Sequence, residues 1–395
     1  MSGNSSSRSV WGKVRSLFVK EPSGKIRPNV IMILIDQFRN DARDVHPVFE
    51  ALKRRGVLFS RVMTYAPYTL ASLHATYTGL YGRDTGVDGY TRSSEYDSRS
   101  CYTIAEYLRD EGYHTRGYAF SPILFPHGGF DELKIVPEQE ETGILENHLC
   151  EIDAAFSQDR PFFLYLHYGE IHHGIVRDVL RRYDAFDPEY FGDIERNQER
   201  YRKYAHEAAV HLERLLEAID ARDPGRETLL VVMTDHGGGV GERPGEKAYG
   251  VYAYNYTICV WMYLSCRGIL PEGVESRAQV RSVDLLPTLM DLLGVAPSKK
   301  HKPLRGRSLM PIVRREESGD RLAFSETGGV EGPHPSPDSA NVKTVSDGRW
   351  KLIYNTTTNH MELYDLAEDP HETKNLRAVH PNKVQELWQK MAEFL

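Results

Sequence analysis

The sequence has few cysteines, no long apolar run and no excess of positive charge. Its four cysteines in 395 residues show no C-x-x-C spacing, which argues against a disulfide framework or a zinc ribbon. No stretch reaches the roughly 18 uncharged apolar residues of a membrane-spanning helix, and the N-terminus lacks a continuous apolar signal region. These absences predict a cytoplasmic protein with reduced thiols that does not span a membrane.

The net charge of −7 is unevenly distributed. Residues 1–29 hold six lysines and arginines against one acid, which leaves the rest of the chain near −12. So acidic a body disfavours nucleic acid as the main partner, because such binding depends on basic side chains that neutralise phosphates. Residues 8–20 mix apolar and basic side chains and could make a weak contact with an anionic membrane surface or a partner protein. A helix that docks on its own domain explains the same pattern.

From residue 29 the chain alternates apolar, β-branched runs with amphipathic segments. The runs VIMILID, FFLYLHY and TLLVVMT are typical of buried strands, and ERYRKYAHEAAVHLERLLEAIDARD is typical of a long helix. This rhythm predicts an α/β fold with a mostly parallel central sheet sandwiched by helices.

A smaller unit is predicted at the C-terminus. VKTVSDGRWKLIYN and MELYDL indicate antiparallel strands, and KVQELWQKMAEFL indicates a closing helix. We therefore predict an N-terminal extension over residues 1–28, a catalytic domain over 29–318 and a C-terminal sheet-plus-helix subdomain over 319–395.

Acidic residues follow two of the predicted strands. Asp36 ends VIMILID, and Asp235 with His236 directly follows TLLVVMT. Because ligands in open α/β sheets collect at the carboxyl ends of strands, we expect these side chains to face one site. Carboxylate and imidazole ligands suit a divalent ion such as Zn²⁺, Mn²⁺ or Ca²⁺. The alternative is an N-cap aspartate beside a surface histidine.

Thr69 lies at the start of a predicted helix in YAPYTLASLHATYTG. Free amides at a helix N-terminus favour an anionic group, so a hydroxyl at this position would face a bound anion. An alcohol is a weak nucleophile near neutral pH, and a metal held by Asp36, Asp235 and His236 could activate it. Taken alone, Thr69 is better explained as an ordinary N-cap threonine.

Seven ordered motifs resemble the sulfatase branch of the alkaline phosphatase superfamily. They run from about Pro28 to Leu395 and comprise PNVIMILIDQFRND, YAPYTLASLHATYTGLYGRDTGV, GGFDEL, FFLYLHYGEIHHG, LLVVMTDHGGGVGE, SVDLLPTLMDLLGV and RWKLIYNTTTNHMELYDLAEDPHETKNL. The resemblance implies an alkaline phosphatase-like fold and a metal surrounded by the four residues already singled out. It adds Gln37, at a position where many sulfatases carry a second aspartate and phosphonate or phosphate ester hydrolases carry glutamine.

The chain departs from the sulfatase pattern at the nucleophile. The signature C-x-P-S-R, whose Cys or Ser becomes formylglycine, aligns with residues 69–73, which read TLASL. Threonine cannot yield that aldehyde, and Ala71 and Leu73 replace the proline and arginine of the signature. The resemblance therefore implies no formylglycine. A threonine beside a metal instead resembles the phosphodiesterases, phosphonate hydrolases and phosphoethanolamine transferases of the superfamily.

The resemblance also implies substrate-binding candidates. His172 aligns with a substrate-binding histidine of sulfatases, and His167, Glu170 and His173 accompany it in HYGEIHHG. Glu170 together with His172 or His173 could hold a second metal, although the pattern favours one metal over two. Lys247 lies near the place of an anion-contacting lysine in sulfatases but is better explained as a solvent-facing lysine.

The predicted function is hydrolysis of a small phosphate or phosphonate ester, mono- or diester, through a phosphothreonine at Thr69. The alternatives are a sulfuric ester hydrolase without formylglycine, a phosphotransferase that uses an alcohol acceptor, and a noncatalytic relative that binds an anion. Neither the leaving group nor the oligomeric state follows from the sequence.

Overall fold

The computed structural model describes residues 27–138, 140–328 and 340–394. The amphipathic stretch at residues 8–20 lies outside the described residues. Among the helices of those three ranges, none is both long and apolar enough to cross a membrane.

A large sheet forms the centre of the fold. Its strands are β1 (Val30–Ile35), β2 (Val57–Met63), β3 (His114–Ala119), β4 (Glu132–Ile135), β5 (Phe162–Tyr168), β6 (Leu229–Met233), β7 (Cys259–Ser265), β8 (Val274–Ser276) and β9 (Val280–Arg281). They lie in the order β4-β3-β5-β1-β6-β7-β2-β8, with β9 beside β2. β7 runs antiparallel to β6 and β2, and the other pairings are parallel. The predicted mostly parallel sheet is confirmed.

Helices and short helical turns connect these strands. They are α1 (Val48–Arg55), α2 (Thr69–Thr78), α3 (Gly82–Thr85), α4 (Ile104–Asp110), α5 (Ile144–Phe156), α6 (Glu170–Ile175), α7 (Pro188–Phe191), α8 (Ile194–Arg222), α9 (Asn255–Ile258), α10 (Leu285–Leu293) and α11 (Met310–Val313). One π-helical turn, Val176–Leu180, continues α6. The long predicted helix is α8, which begins where the Asp193 side chain accepts a hydrogen bond from the Arg196 amide.

The central strands are buried on both faces. Along β1, Ile31, Ile33 and Ile35 pack with residues of α5 and α8, whereas Val30, Met32 and Leu34 pack with residues of α4 and α10. Successive side chains of a strand point to opposite faces, so a strand covered on both sides must be apolar throughout. This explains the unbroken run VIMILI and directs its first polar residue, Asp36, to the end of the strand.

A second, antiparallel sheet lies at the C-terminus. Its strands, in the order β10-β11-β12-β13, are β10 (Ala323–Thr327), β11 (Val342–Ser346), β12 (Trp350–Asn355) and β13 (His360–Asp365), and α12 (Pro381–Phe394) follows. The sequence predicts the last three strands and the helix but not β10. The antiparallel sheet-plus-helix unit is thus confirmed, and the exact domain boundaries stay predictions.

Candidate active site

Two neighbouring parallel strands bring the predicted acidic residues together. β1 and β6 pair with Leu34 opposite Met233, so Asp36 and the Asp235-His236 pair lie at the same edge of the sheet. Their side chains are fully buried, and one ligand atom from each lies within 4.8 Å of the others. The expectation that these strand ends face a common site therefore agrees with the geometry.

Thr69 is the first residue of α2 and faces the same cluster. Its hydroxyl donates to Asp36 Oδ2 at 3.2 Å and lies 3.2 Å from His236 Nε2. The N-cap position belongs to Tyr68, whose extended backbone precedes the helix, and no side-chain cap is formed there. The Thr69 hydroxyl is thus directed at the carboxylate and the imidazole rather than at the helix amides.

One hydrogen bond determines the tautomer of His236. Its Nδ1 lies 2.7 Å from the carbonyl oxygen of Gly237, and a carbonyl can only accept. Nδ1 therefore carries the proton, and Nε2 presents a lone pair. That lone pair faces the Thr69 hydroxyl and the Asp36 carboxylate, whose Oδ1 is 3.5 Å away.

Several buried polar atoms at the site have no hydrogen-bond partner among the described residues. Those on the predicted metal ligands are Asp36 Oδ1, Asp235 Oδ2 and both amide atoms of Gln37. Buried polar groups are otherwise almost always paired, because leaving one unpaired costs about 1–3 kcal/mol. Carboxylate oxygens, an amide oxygen and an imidazole nitrogen are the donors that a divalent cation takes. The residues present therefore fit a metal ion.

The pKa values of the two buried carboxylates are shifted in opposite directions. Burial raises the pKa of Asp36, but the hydrogen bond with His167 and the nearby imidazoles of His172 and His236 outweigh it and hold that pKa below its usual range. Burial and then the charge of Asp36 raise the pKa of Asp235. Two carboxylates this close repel each other, and a cation between them would favour the ionised form of both.

His167 and His172 lie at the site, as the resemblance implies. His167 is the penultimate residue of β5 beside β1, and its Nε2 is 3.4 Å from Asp36 Oδ2. His172 lies on α6, with its ring 5.4 Å from the ring of Tyr249, which in turn is 5.3 Å from the ring of His236. The edge of the sheet thus carries a row of imidazole and phenol rings next to the carboxylates.

The remaining three candidates have other partners. His173 bonds Glu170 at 3.0 Å and approaches Glu138 at 3.7 Å. Among the described residues, the close cluster of metal-ligating atoms consists of Asp36, Asp235 and His236. It includes neither His173 nor Glu170. Lys247 is buried, and its ammonium donates to the carbonyls of Leu180 and Tyr183. It anchors the loop after β6 to the π-helical turn and is not the solvent-facing lysine that the sequence favoured.

Sequence reasoning missed several residues of this region. Tyr68 is buried beside Thr69, and its hydroxyl has no partner among the described residues. Burial and then the charge of Glu326 raise its pKa, so the phenol stays neutral. Glu326 accepts from Tyr65 and pairs with Lys343 at 2.5 Å, which brings the C-terminal sheet against this side of the site. The adjacency of Tyr68 to Thr69 is the one signal that could have found any of them.

A family model described as Sulfatase matches residues 28–295, and one described as N-sulphoglucosamine sulphohydrolase, C-terminal, matches residues 251–395. A curated protein named Sulfatase from Formosa agariphila is 24% identical over 249 residues, or 57% of this chain and 43% of that protein. Delta 4,5-hexuronate-2-O-sulfatase from Bacteroides thetaiotaomicron is 29% identical over 192 residues, or 46% of this chain and 38% of that protein. The chain spans less than half the length of these two relatives.

Among solved structures, the phosphonate monoester hydrolase of Agrobacterium radiobacter superposes with a TM-score of 0.76. The match covers 93% of this chain and 95% of that chain at 19% identity. At this identity the likeness concerns the fold, and it confirms the two-sheet architecture.

Proposed function

Because the chain belongs to the sulfatase family, we propose that it is a metal-dependent hydrolase whose nucleophile is Thr69 and whose preferred substrates are phosphate or phosphonate esters. The observation that carries the proposal is the position of the Thr69 hydroxyl, 3.2 Å from both Asp36 Oδ2 and His236 Nε2. A hydroxyl held between a carboxylate and an imidazole lone pair has an acceptor ready for its proton. A plain helix cap needs neither contact.

Four residues would hold the metal: Asp36, Asp235, His236 and, through its amide oxygen, Gln37. Bound there, a divalent ion would supply positive charge that lowers the pKa of the nucleophile and offsets charge on the nonbridging oxygens of the ester. The acidic chain makes this contribution important, because its overall charge of −7 repels an anionic substrate.

The chemistry at Thr69 proceeds in two displacements. The hydroxyl oxygen attacks phosphorus in line with the leaving oxygen, and its proton passes to Asp36 Oδ2, to which the hydroxyl donates. A bond from Thr69 Oγ1 to phosphorus forms, the ester bond breaks, and the leaving group departs as an alcohol after it takes up a proton. Water then attacks the phosphothreonine and breaks the bond to Oγ1, which restores the threonine and releases phosphate or phosphonate.

The preference for phosphorus over sulfur follows from what replaces the sulfatase signature. Residues 69–73 offer no side chain that becomes an aldehyde hydrate, and Leu73 replaces the arginine of the signature. If a sulfate monoester transferred its sulfuryl group to the plain alcohol of a threonine, water would then have to hydrolyse the sulfated threonine. The aldehyde hydrate of sulfatases avoids that step.

A sulfuric ester hydrolase is the second candidate. It is favoured by the family model and by the curated relatives, which are named for sulfatase activity. In that case Thr69 would act without formylglycine, and the histidines at the site would contact the sulfate.

A panel of chromogenic esters distinguishes these candidates. Metal-stripped protein is supplied with Zn²⁺, Mn²⁺, Mg²⁺ or Ca²⁺ and assayed with a phosphate monoester, a phosphodiester, a phosphonate and a sulfate. We expect phosphorus esters to turn over fastest and Thr69→Ala to abolish turnover. Thr78→Ala is the matched control, because among the described residues the Thr78 hydroxyl bonds only the His74 carbonyl of its own helix. Faster turnover of the sulfate ester than of the phosphorus esters, or turnover by the Thr69→Ala variant, would overturn the proposal.

A further inference from the structure

The backbone of Gln37 adopts an unusual conformation. Its φ is +61°, in the left-handed region that residues other than glycine seldom enter. Such a conformation persists only where the surrounding structure holds it, and it is common at functional sites. The Gln37 side chain is fully buried, and neither of its amide atoms has a hydrogen-bond partner among the described residues. The question is which contacts keep this strained residue in place.

Three amide groups follow Asp36, and each donates to a different side chain. The Gln37 amide donates to Asp235 Oδ1 at 3.1 Å, and the Phe38 amide donates to Thr234 Oγ1 at 3.0 Å. Both acceptors belong to the end of β6. The third amide donates elsewhere, to a residue of α8.

That third acceptor is the hydroxyl of Tyr201. It accepts from the Arg39 amide at 2.7 Å and donates to the Gln37 carbonyl at 2.7 Å. One phenol thus bridges the two peptide groups on either side of Phe38 and closes the turn that gives Gln37 its positive φ. Tyr201 is buried in the first third of α8, two turns from its start, so its hydroxyl is held by a rigid helix.

The Arg39 side chain ties the same turn to the loop after β6. Its guanidinium donates to the Gly238 carbonyl at 2.7 Å and to Glu242 at 2.6 Å, and it also pairs with Asp41. The turn is therefore fastened on two sides, with the phenol as its contact to α8.

We propose that Tyr201 is a positioning residue whose hydroxyl holds Gln37 in the left-handed conformation that aims the Gln37 amide at the cluster of Asp36, Asp235 and His236. This inference rests on the proposed metal site. Among the described residues, the Tyr201 hydroxyl contacts the turn from Gln37 to Arg39 and none of Asp36, Asp235 and His236, so it acts through this turn. Positioning contacts of this kind typically alter metal affinity by about 10–100-fold.

The first test compares two tyrosines of the same helix. Tyr201→Phe removes the bridging hydroxyl and keeps the buried ring. The matched control is Tyr204→Phe, whose hydroxyl bonds Asp178 at the side of α6 and not the turn. Mn²⁺ is titrated into metal-stripped full-length protein, and free Mn²⁺ is measured by electron paramagnetic resonance. We expect Tyr201→Phe to weaken binding about 10–100-fold and the control to bind like the wild type.

The second test repeats the substitution where Gln37 is glycine. Glycine adopts a positive φ without strain and carries no amide to aim, so adding Tyr201→Phe to Gln37→Gly should leave Mn²⁺ affinity unchanged. Its effect on the urea unfolding midpoint should also be smaller in the glycine background. If Tyr201→Phe alone fails to fold, recovery of the fold in the double variant supports the proposal, and failure of both overturns it.

The outcomes separate this inference from the proposed function. If wild-type protein binds no Mn²⁺, the proposed metal site fails, and the unfolding midpoints alone decide whether Tyr201 holds the strained turn. Equal midpoint shifts in both backgrounds would then overturn the inference. If the wild type binds Mn²⁺, equal losses of affinity in both backgrounds, or none in either, would overturn it.

Discussion

Replacing Gly238 by alanine should weaken metal binding while leaving the fold in place. A Cβ at this position would lie 2.6 Å from Gln37 Nε2, 3.2 Å from its Cγ and 3.3 Å from its Cδ. Ordinary contact begins near 3.4 Å, so the amide nitrogen must move by about 0.8 Å. Gln37 is fully buried, and its backbone is fastened, so this movement redirects the amide rather than the chain.

The size of the effect follows from that displacement. Metal ligands tolerate errors of about 0.2 Å in their distances, so a shift of 0.8 Å removes Gln37 as an effective ligand. We expect Mn²⁺ affinity to fall about 10–100-fold, which corresponds to about 1.4–2.8 kcal/mol. Overpacking of a buried position adds a stability cost of about 1–3 kcal/mol.

The neighbouring glycine provides the control. A Cβ at Gly239 would meet its nearest atom, the Ala248 carbonyl oxygen, at 3.3 Å and nothing of Gln37. Isothermal titration with Mn²⁺ and urea unfolding are measured for both alanine variants. Wild-type affinity in Gly238→Ala, or an equal loss in Gly239→Ala, would refute the reasoning that Gln37 is a ligand placed by this glycine.

Two further predictions concern stability. Lys351 and Glu372 form a buried ion pair at 2.7 Å. Lys351→Met should therefore lower the free energy of unfolding in urea by about 3–5 kcal/mol, and adding Glu372→Gln should recover much of that loss. A loss below about 1 kcal/mol in Lys351→Met would contradict this. Burial lowers the pKa of His74 to about 4 from 6.5, so the unfolded chain binds a proton first as the pH falls. Stability should therefore be full above pH 6.5 and drop by about 3 kcal/mol towards pH 4. His74→Asn should flatten this slope, and an unchanged slope would assign it to other groups.

The sequence predicts the parts of the site that depend on strand ends. Asp36 and Asp235 follow apolar runs that had to be buried strands, and parallel neighbours bring such ends together whatever the remaining topology. Thr69 required the resemblance as well, because a threonine at a helix start has an ordinary explanation. Only the structure shows its contacts with Asp36 and His236, which distinguish Thr69 from an ordinary helix cap.

Other features depend on contacts between distant segments and carry no local pattern. Lys247 lies near the place of a family lysine, yet its ammonium donates to carbonyls of a turn more than 60 positions earlier. Tyr201 is one of two tyrosines on α8, and only the approach of α8 to the turn after β1 sets it apart. The β10 strand is not predicted, because residues 328–341 separate it from its partner β11 and no short hairpin turn marks the pair in the sequence.

The antiparallel direction of β7 has a consequence for how this site could diversify. Parallel neighbours in a sheet must be joined by a crossover that returns to the opposite edge, whereas antiparallel neighbours need none. The connection from β6 to β7, residues 234–258, therefore begins and ends at the edge where Asp235 and His236 lie. Lengthening a loop costs little free energy, since the closure entropy grows only with the logarithm of its length. Insertions after His236 can thus reshape this edge without moving a strand, Asp235 or His236.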